Sequence, residues 1–158
     1  MKKTLFIALI CILTAVLIAC DTKEEKDDEI SIGDPVPDER GNLEGARMEY
    51  VSNTNTSLTV FMKNDTDSTW QSGNMRDYHL EMFCNGVWCI VEDKVEIPNT
   101  MELMLFAPGE TLTHTFDLSV RYGTLGKGRY RVVKSWWANA TKTVVAGEFY
   151  LMCEFDVD

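Results

Sequence analysis

The chain is poor in the groups that most chemistry requires. Only two of its 158 residues are histidine, His79 and His114, and neither stands at a metal-ligand spacing from cysteines or carboxylates. No metal set and no cofactor is expected from that pattern. Basic residues are scarce as well: 15 Lys and Arg face 25 Asp and Glu, a formal charge of -10. Phosphate binding relies on basic patches, so nucleic acid is excluded as a partner. No internal repeat is visible, and no segment after residue 43 sustains a helical period, which excludes helical bundles. A nucleophile elbow is also missing. His114, Asp117 and Ser119 have the composition of a triad, but they crowd along one strand on which His114 and Asp117 point to opposite faces. Gly123, Gly126 and Gly128 precede a strand, whereas a phosphate cradle needs a helix N-terminus. Asn64-Asp65-Thr66-Asp67 opens like a calcium loop but lacks the later glycine and the bidentate glutamate. These absences together describe a chain without a catalytic residue.

One apolar run is present, and it is N-terminal. Met1-Lys2-Lys3 is a positive start, and Leu5 to Ala19 is almost unbroken apolar sequence. That is the build of a signal peptide, too short and wrongly flanked for a membrane-spanning helix. Its end, Leu17-Ile18-Ala19-Cys20, resembles a bacterial lipobox, in which the cut falls before a cysteine already carrying a diacylglyceryl group. The resemblance implies that residues 1–19 are removed and that Cys20 becomes the lipidated first residue. Losing Lys2 and Lys3 moves the charge from -10 to -12. An anionic membrane repels such a chain, so the lipid must hold it there. Each buried acyl CH₂ contributes about 0.8 kcal/mol, and two or three chains make retention stable. The expected location is a membrane, on its extracytoplasmic face, at the cell surface or in the periplasm.

Composition then divides the rest in two. Residues 20–43 are expected to be a tether: Asp21 to Asp38 is acidic and nearly free of apolar residues, and cannot repay the entropy of ordering. From residue 44 to 158 the period becomes two. Leu58, Val60 and Met62 alternate with Thr59, Phe61 and Lys63. Tyr78 to Cys84 and Val87 to Val91 alternate around Asn85-Gly86, the strongest short hairpin signal, because both turn positions need positive φ. Ala107 to Glu110 is a turn before the alternating run Thr111 to Leu118. Arg129 to Trp137 and Phe149 to Phe155 make the last two strands. About seven short strands with regular turns predict a single all-β domain, an antiparallel β-sandwich.

Three cysteines remain once Cys11 leaves with the signal peptide and Cys20 takes lipid. In a two-residue hairpin Cys84 pairs with Val87 and Cys89 with Met82, so Cys84 and Cys89 lie diagonally on one face, about 7–8 Å apart. A disulfide favours about 5.5–6 Å. Cys84–Cys89 is therefore a candidate bridge that needs strand twist, and free thiols packed as small hydrophobes are the other reading, for Cys153 as well.

The segment Pro108-Gly109-Glu110-Thr111, followed by Tyr122-Gly123 and by Leu125-Gly126-Lys127-Gly128-Arg129-Tyr130-Arg131, resembles a bacterial immunoglobulin-like domain family. Asn85-Gly86-Val87-Trp88 is similar to that family's central hairpin. The resemblance spans roughly Met48 to Phe155. It implies an immunoglobulin-like sandwich without catalytic residues, often in small secreted or lipid-anchored proteins. It makes Trp88 a structural residue, and Tyr130 the corner tyrosine whose hydroxyl bonds back to the preceding loop.

Trp136-Trp137 is foreign to that pattern. Tyr130, Val132 and Trp136 share one face of their strand; Val133, Ser135 and Trp137 share the other. With Tyr130 inward, Trp136 is core, while Val133 and Trp137 form an outward candidate binding surface. An exposed Trp137 suits an envelope protein partner or a stacked sugar; alternatively the tether or a loop covers it. The expected role is a non-enzymatic module binding an envelope protein, with cell-wall glycan as the alternative.

Overall fold

The computed structural model describes residues 30–37, 42–98 and 102–158, so Cys20 and most of the tether lie outside the described residues. Ten strands and one helical turn follow in order: β1 (Ile32–Val36), β2 (Ala46–Thr54), β3 (Ser57–Asn64), β4 (Trp70–Ser72), β5 (His79–Cys84), β6 (Val87–Val91), β7 (Met104–Phe106), β8 (Thr111–Asp117), α1 (Ser119–Tyr122), β9 (Gly128–Ala138) and β10 (Gly147–Val157). All pairings are antiparallel, and the strands form two sheets. The larger runs β1-β6-β5-β9-β4-β7, with β10 along the other edge of β9; the smaller is β2-β3-β8. β9 organises the larger sheet. Its first half pairs with β5, its end with β4, and its whole length with β10.

Alternation puts the apolar half of each strand between the sheets. Leu58, Val60 and Met62 of β3 and Phe116 of β8 are buried there, as are Leu80, Tyr130, Val132, Trp136, Leu151 and Phe155 of the larger sheet. Each such side chain contributes about 1.5–3 kcal/mol. At one end Trp70 forms an aromatic knot, with ring centroids 5.1 Å from Phe149, 5.3 Å from Phe106 and 5.9 Å from Trp136. The β5–β6 hairpin turns on Asn85 (φ 51°) and Gly86 (φ 89°), both in the left-handed region that this turn requires. Its register is Cys84↔Val87 and Met82↔Cys89.

The antiparallel sandwich is the expected one, with ten strands among the described residues where about seven were expected: β4 and β7 are only three residues long and β2 buries just one of its nine residues, Met48. None of the three shows the alternation that marks a strand in sequence. The tether is also shorter than expected: Ile32–Val36 is a strand of the sheet. It needs little apolar surface of its own, because the open edge of β6 supplies backbone partners, with Pro35 opposite Cys89 and Ile32 opposite Val91. Ser31 fastens the start. Its carbonyl accepts from Glu92 N (2.9 Å) and its hydroxyl donates to the Glu92 carboxylate (2.6 Å).

Candidate functional site

The two neighbouring tryptophans of β9 part company. Trp136 is buried, with its ring centroid 5.9 Å from that of Trp70 and 5.8 Å from that of Phe106. Trp137, on the opposite face, is 50% exposed. In register it stands between Glu148 of β10 and Gln71 of β4, and Gln71 in turn stands opposite Leu105 of β7. Leu105 is 56% exposed, and Leu103, two residues earlier, 64%. Trp137, Gln71 and Leu105 therefore form one row across three adjacent strands, about 10 Å from indole to leucine. The row ends at β7, which among the described residues pairs only with β4 and so leaves its other edge open. At the far edge of this sheet, β1 carries Pro35 and a register shift, both of which oppose the addition of a further strand. An aromatic ring thus shares one exposed face with aliphatic side chains next to an open strand edge.

Val133 does not belong to this surface, against expectation. It is fully buried, in register with His79 on one side and Met152 on the other. The outer face of the sheet is closed in its middle by a buried polar layer. Arg131 Nε donates to Glu81 Oε2 at 2.6 Å, Glu81 Oε1 lies 2.8 Å from His79 Nε2, and the Arg131 guanidinium lies 4.2 Å from the centre of the Trp88 ring. Trp88 is buried beneath it. Alternation correctly separates the faces of a strand, but the outward one need not meet water. Gln71, Leu103 and Leu105 take Val133's place. No alternation marked them: Leu103 to Phe106 are all apolar, and Gln71 lies on a strand of only three residues.

The remaining candidates serve structure. The Tyr130 hydroxyl donates to Gly126 O (2.8 Å), tying the strand to the loop before it. Asp117 accepts from the amide and the hydroxyl of Ser119 (3.0 and 2.6 Å), starting α1. His114 sits edge-on to Phe116, and burial, then the nearby Lys134, lowers its pKa. The Asp117–Ser119 hydrogen bond is a local one that starts the helical turn, and His114 packs on Phe116 instead. Asn64 is buried; its amide donates to Ser68 O and Phe106 O, while Asp67 accepts from Thr141 and Thr143. The calcium-like segment is thus a knotted turn. Among the described residues no cluster of three or more His, Cys, Asp or Glu is placed to hold a metal ion. Cys84, Cys89 and Cys153 are all free thiols. Burial, and secondarily Cys89, raises the Cys84 pKa, and burial pushes Cys153 up to about 11, which makes both poor nucleophiles.

A hollow of about 340 Å³ beside β8 is lined by Met75, Ile97, Phe116, Val120 and Arg121 among others. Arg121 is largely committed within it: its guanidinium binds both Asp93 oxygens and the carbonyls of Arg76 and Tyr78. Four of its five N–H donors are thereby spent on tying the loops 73–78 and 92–98 to α1. Beneath, Lys134 is buried and donates to Asn74 O (2.8 Å) and Asp77 O (2.9 Å), closing the same loop from inside.

With sandwich and surface in place, the comparisons give the class. The family model of the bacterial Ig-like domain matches residues 44–150, and the chain belongs to that family. A comparison with curated proteins gave no match.

Proposed function

We propose that this is a lipid-anchored, extracytoplasmic protein whose Ig-like domain binds another protein of the cell envelope, without catalysing a reaction. The anchor is Cys20, supported by the basic start, the apolar run and the small residue before the cysteine. The observation that carries the binding reading is the row Trp137–Gln71–Leu105, exposed at Trp137 and Leu105 and half-buried at Gln71, ending at the open edge of β7. Loops and edges on a rigid sandwich are where such folds recognise partners. A sugar platform would favour further aromatic rings beside Trp137; here its neighbours are Gln71, Glu148 and, one strand on, Leu105. The protein reading is therefore preferred over glycan.

The test is mild cross-linking of the native lipidated protein in its own cells, beside Trp137→Ala. One protein joined to the wild type and missing from the variant supports the reading. No protein in either sample rejects it and turns attention to cell-wall sugars.

A further inference from the structure

We infer that the partner of the Trp137 row is itself held at the membrane and offers the row an extended segment. This rests on the interaction reading above and on Cys20 as the anchor. The course of β1 carries the argument. Pro35, Cys89, Met82, Tyr130 and Phe155 form one continuous register row across the larger sheet. Three antiparallel pairings separate β1 from β9, so these two strands run in opposite directions. Moving back along β1 from Pro35 towards Ile30 is thus the same direction as moving forward along β9 from Tyr130 towards Trp137. Leash and row leave the sheet at one end.

The distances are short. Ile30 and Trp137 differ by about two residues along the strand direction and by three strand spacings across it, on the order of 15 Å. The Ser31–Glu92 hydrogen bonds fix the point at which the chain joins the sheet. Ten residue-to-residue steps lead from Cys20 to Ile30, and no chain of that length spans more than about 36 Å. The row therefore works within roughly 50 Å of the lipid. A partner confined to the same membrane meets it at high effective concentration; one that is not has no such advantage.

The row also describes the segment it takes. β7 is Met104-Leu105-Phe106, with neither proline nor charge to block a strand laid along its open edge. Leu103 and Leu105, on the strand it would pair with, suit apolar side chains at alternate positions of that segment, while Trp137, two strands further in, meets the part of the partner that lies over the row. Glu102 and Glu148, both exposed, favour a basic flank.

The experiment places a photo-reactive phenylalanine at position 105 of the full chain and changes only the leash. A 20-residue proline-rich spacer inserted before Ile30 lifts the domain by about 60 Å. A Gly/Ser spacer of equal length triples the leash and lowers effective concentration only about fivefold. The expected result is an adduct with the native leash, one within about fivefold for Gly/Ser, and at least a tenfold loss for the proline-rich spacer. An undiminished adduct on the rigid spacer overturns the membrane-held partner while leaving the interaction intact. No adduct with the native leash overturns the interaction reading, and this inference with it.

Discussion

Substituting Trp136 and Trp137 one at a time by alanine tests the separation of the two faces. Backbone and chemistry are matched; only the side of the sheet differs. Trp136 is buried against Trp70 and Phe106, so its loss opens a cavity that the aromatic knot cannot fill, at about 3–5 kcal/mol. Trp137 keeps half its surface in water. Only the covered half contributes a transfer term, and an opening to solvent leaves no cavity, so its removal costs about 1 kcal/mol. For a folded unit of about 130 residues the unfolding entropy is roughly 0.27 kcal/mol/K. Trp136→Ala should then lower Tm by about 11–18 °C, and Trp137→Ala by about 4 °C. Thermal unfolding followed by near-ultraviolet circular dichroism reads both. Equal losses would mean that Trp137 is a core residue and the row no surface.

Other consequences follow from single contacts. Tyr130→Phe removes the hydroxyl from Gly126 O and leaves that carbonyl short of a donor; urea unfolding should show a loss of about 1–2 kcal/mol. Burial lowers the Lys134 pKa from 10.5 to about 8. Between those values the unfolded chain holds a proton that the folded chain has released, so this group's contribution to stability rises with pH there. The wild type should gain about 2 kcal/mol on Lys134→Met between pH 8 and pH 10, and a flat or falling difference would contradict the burial. Arg121→Ala should free the loop 92–98, raising its hydrogen exchange at least tenfold while β9 stays protected. Alkylating the unfolded, unreduced chain should label Cys84, Cys89 and Cys153; a single label there would mean a disulfide.

Legibility followed how much information each segment carries in itself. The β5–β6 hairpin was readable to the residue, since Asn85-Gly86 determines the turn and the turn determines the register. β9 and β10 were readable because long alternating runs leave one arrangement. β1 was not, because its order comes from the edge of β6 and not from its own composition. The site was half legible. Alternation separates Trp136 from Trp137, yet it cannot show that the Glu81–Arg131 layer shuts Val133 away from water. Gln71 and Leu105 lie on three-residue strands, which reach Trp137 only through tertiary pairing.

The most direct measurement is a photo-cross-linking scan in living cells, with the reactive side chain placed in turn at positions 71, 105 and 113. Positions 71 and 105 lie one and two strands from Trp137 on the same side of it in the larger sheet; Thr113 lies on β8 of the smaller one. One protein adduct is expected from 71 and from 105, abolished by Trp137→Ala, and none from 113. An adduct from 113 alone, or adducts at 71 and 105 that survive Trp137→Ala, would contradict it.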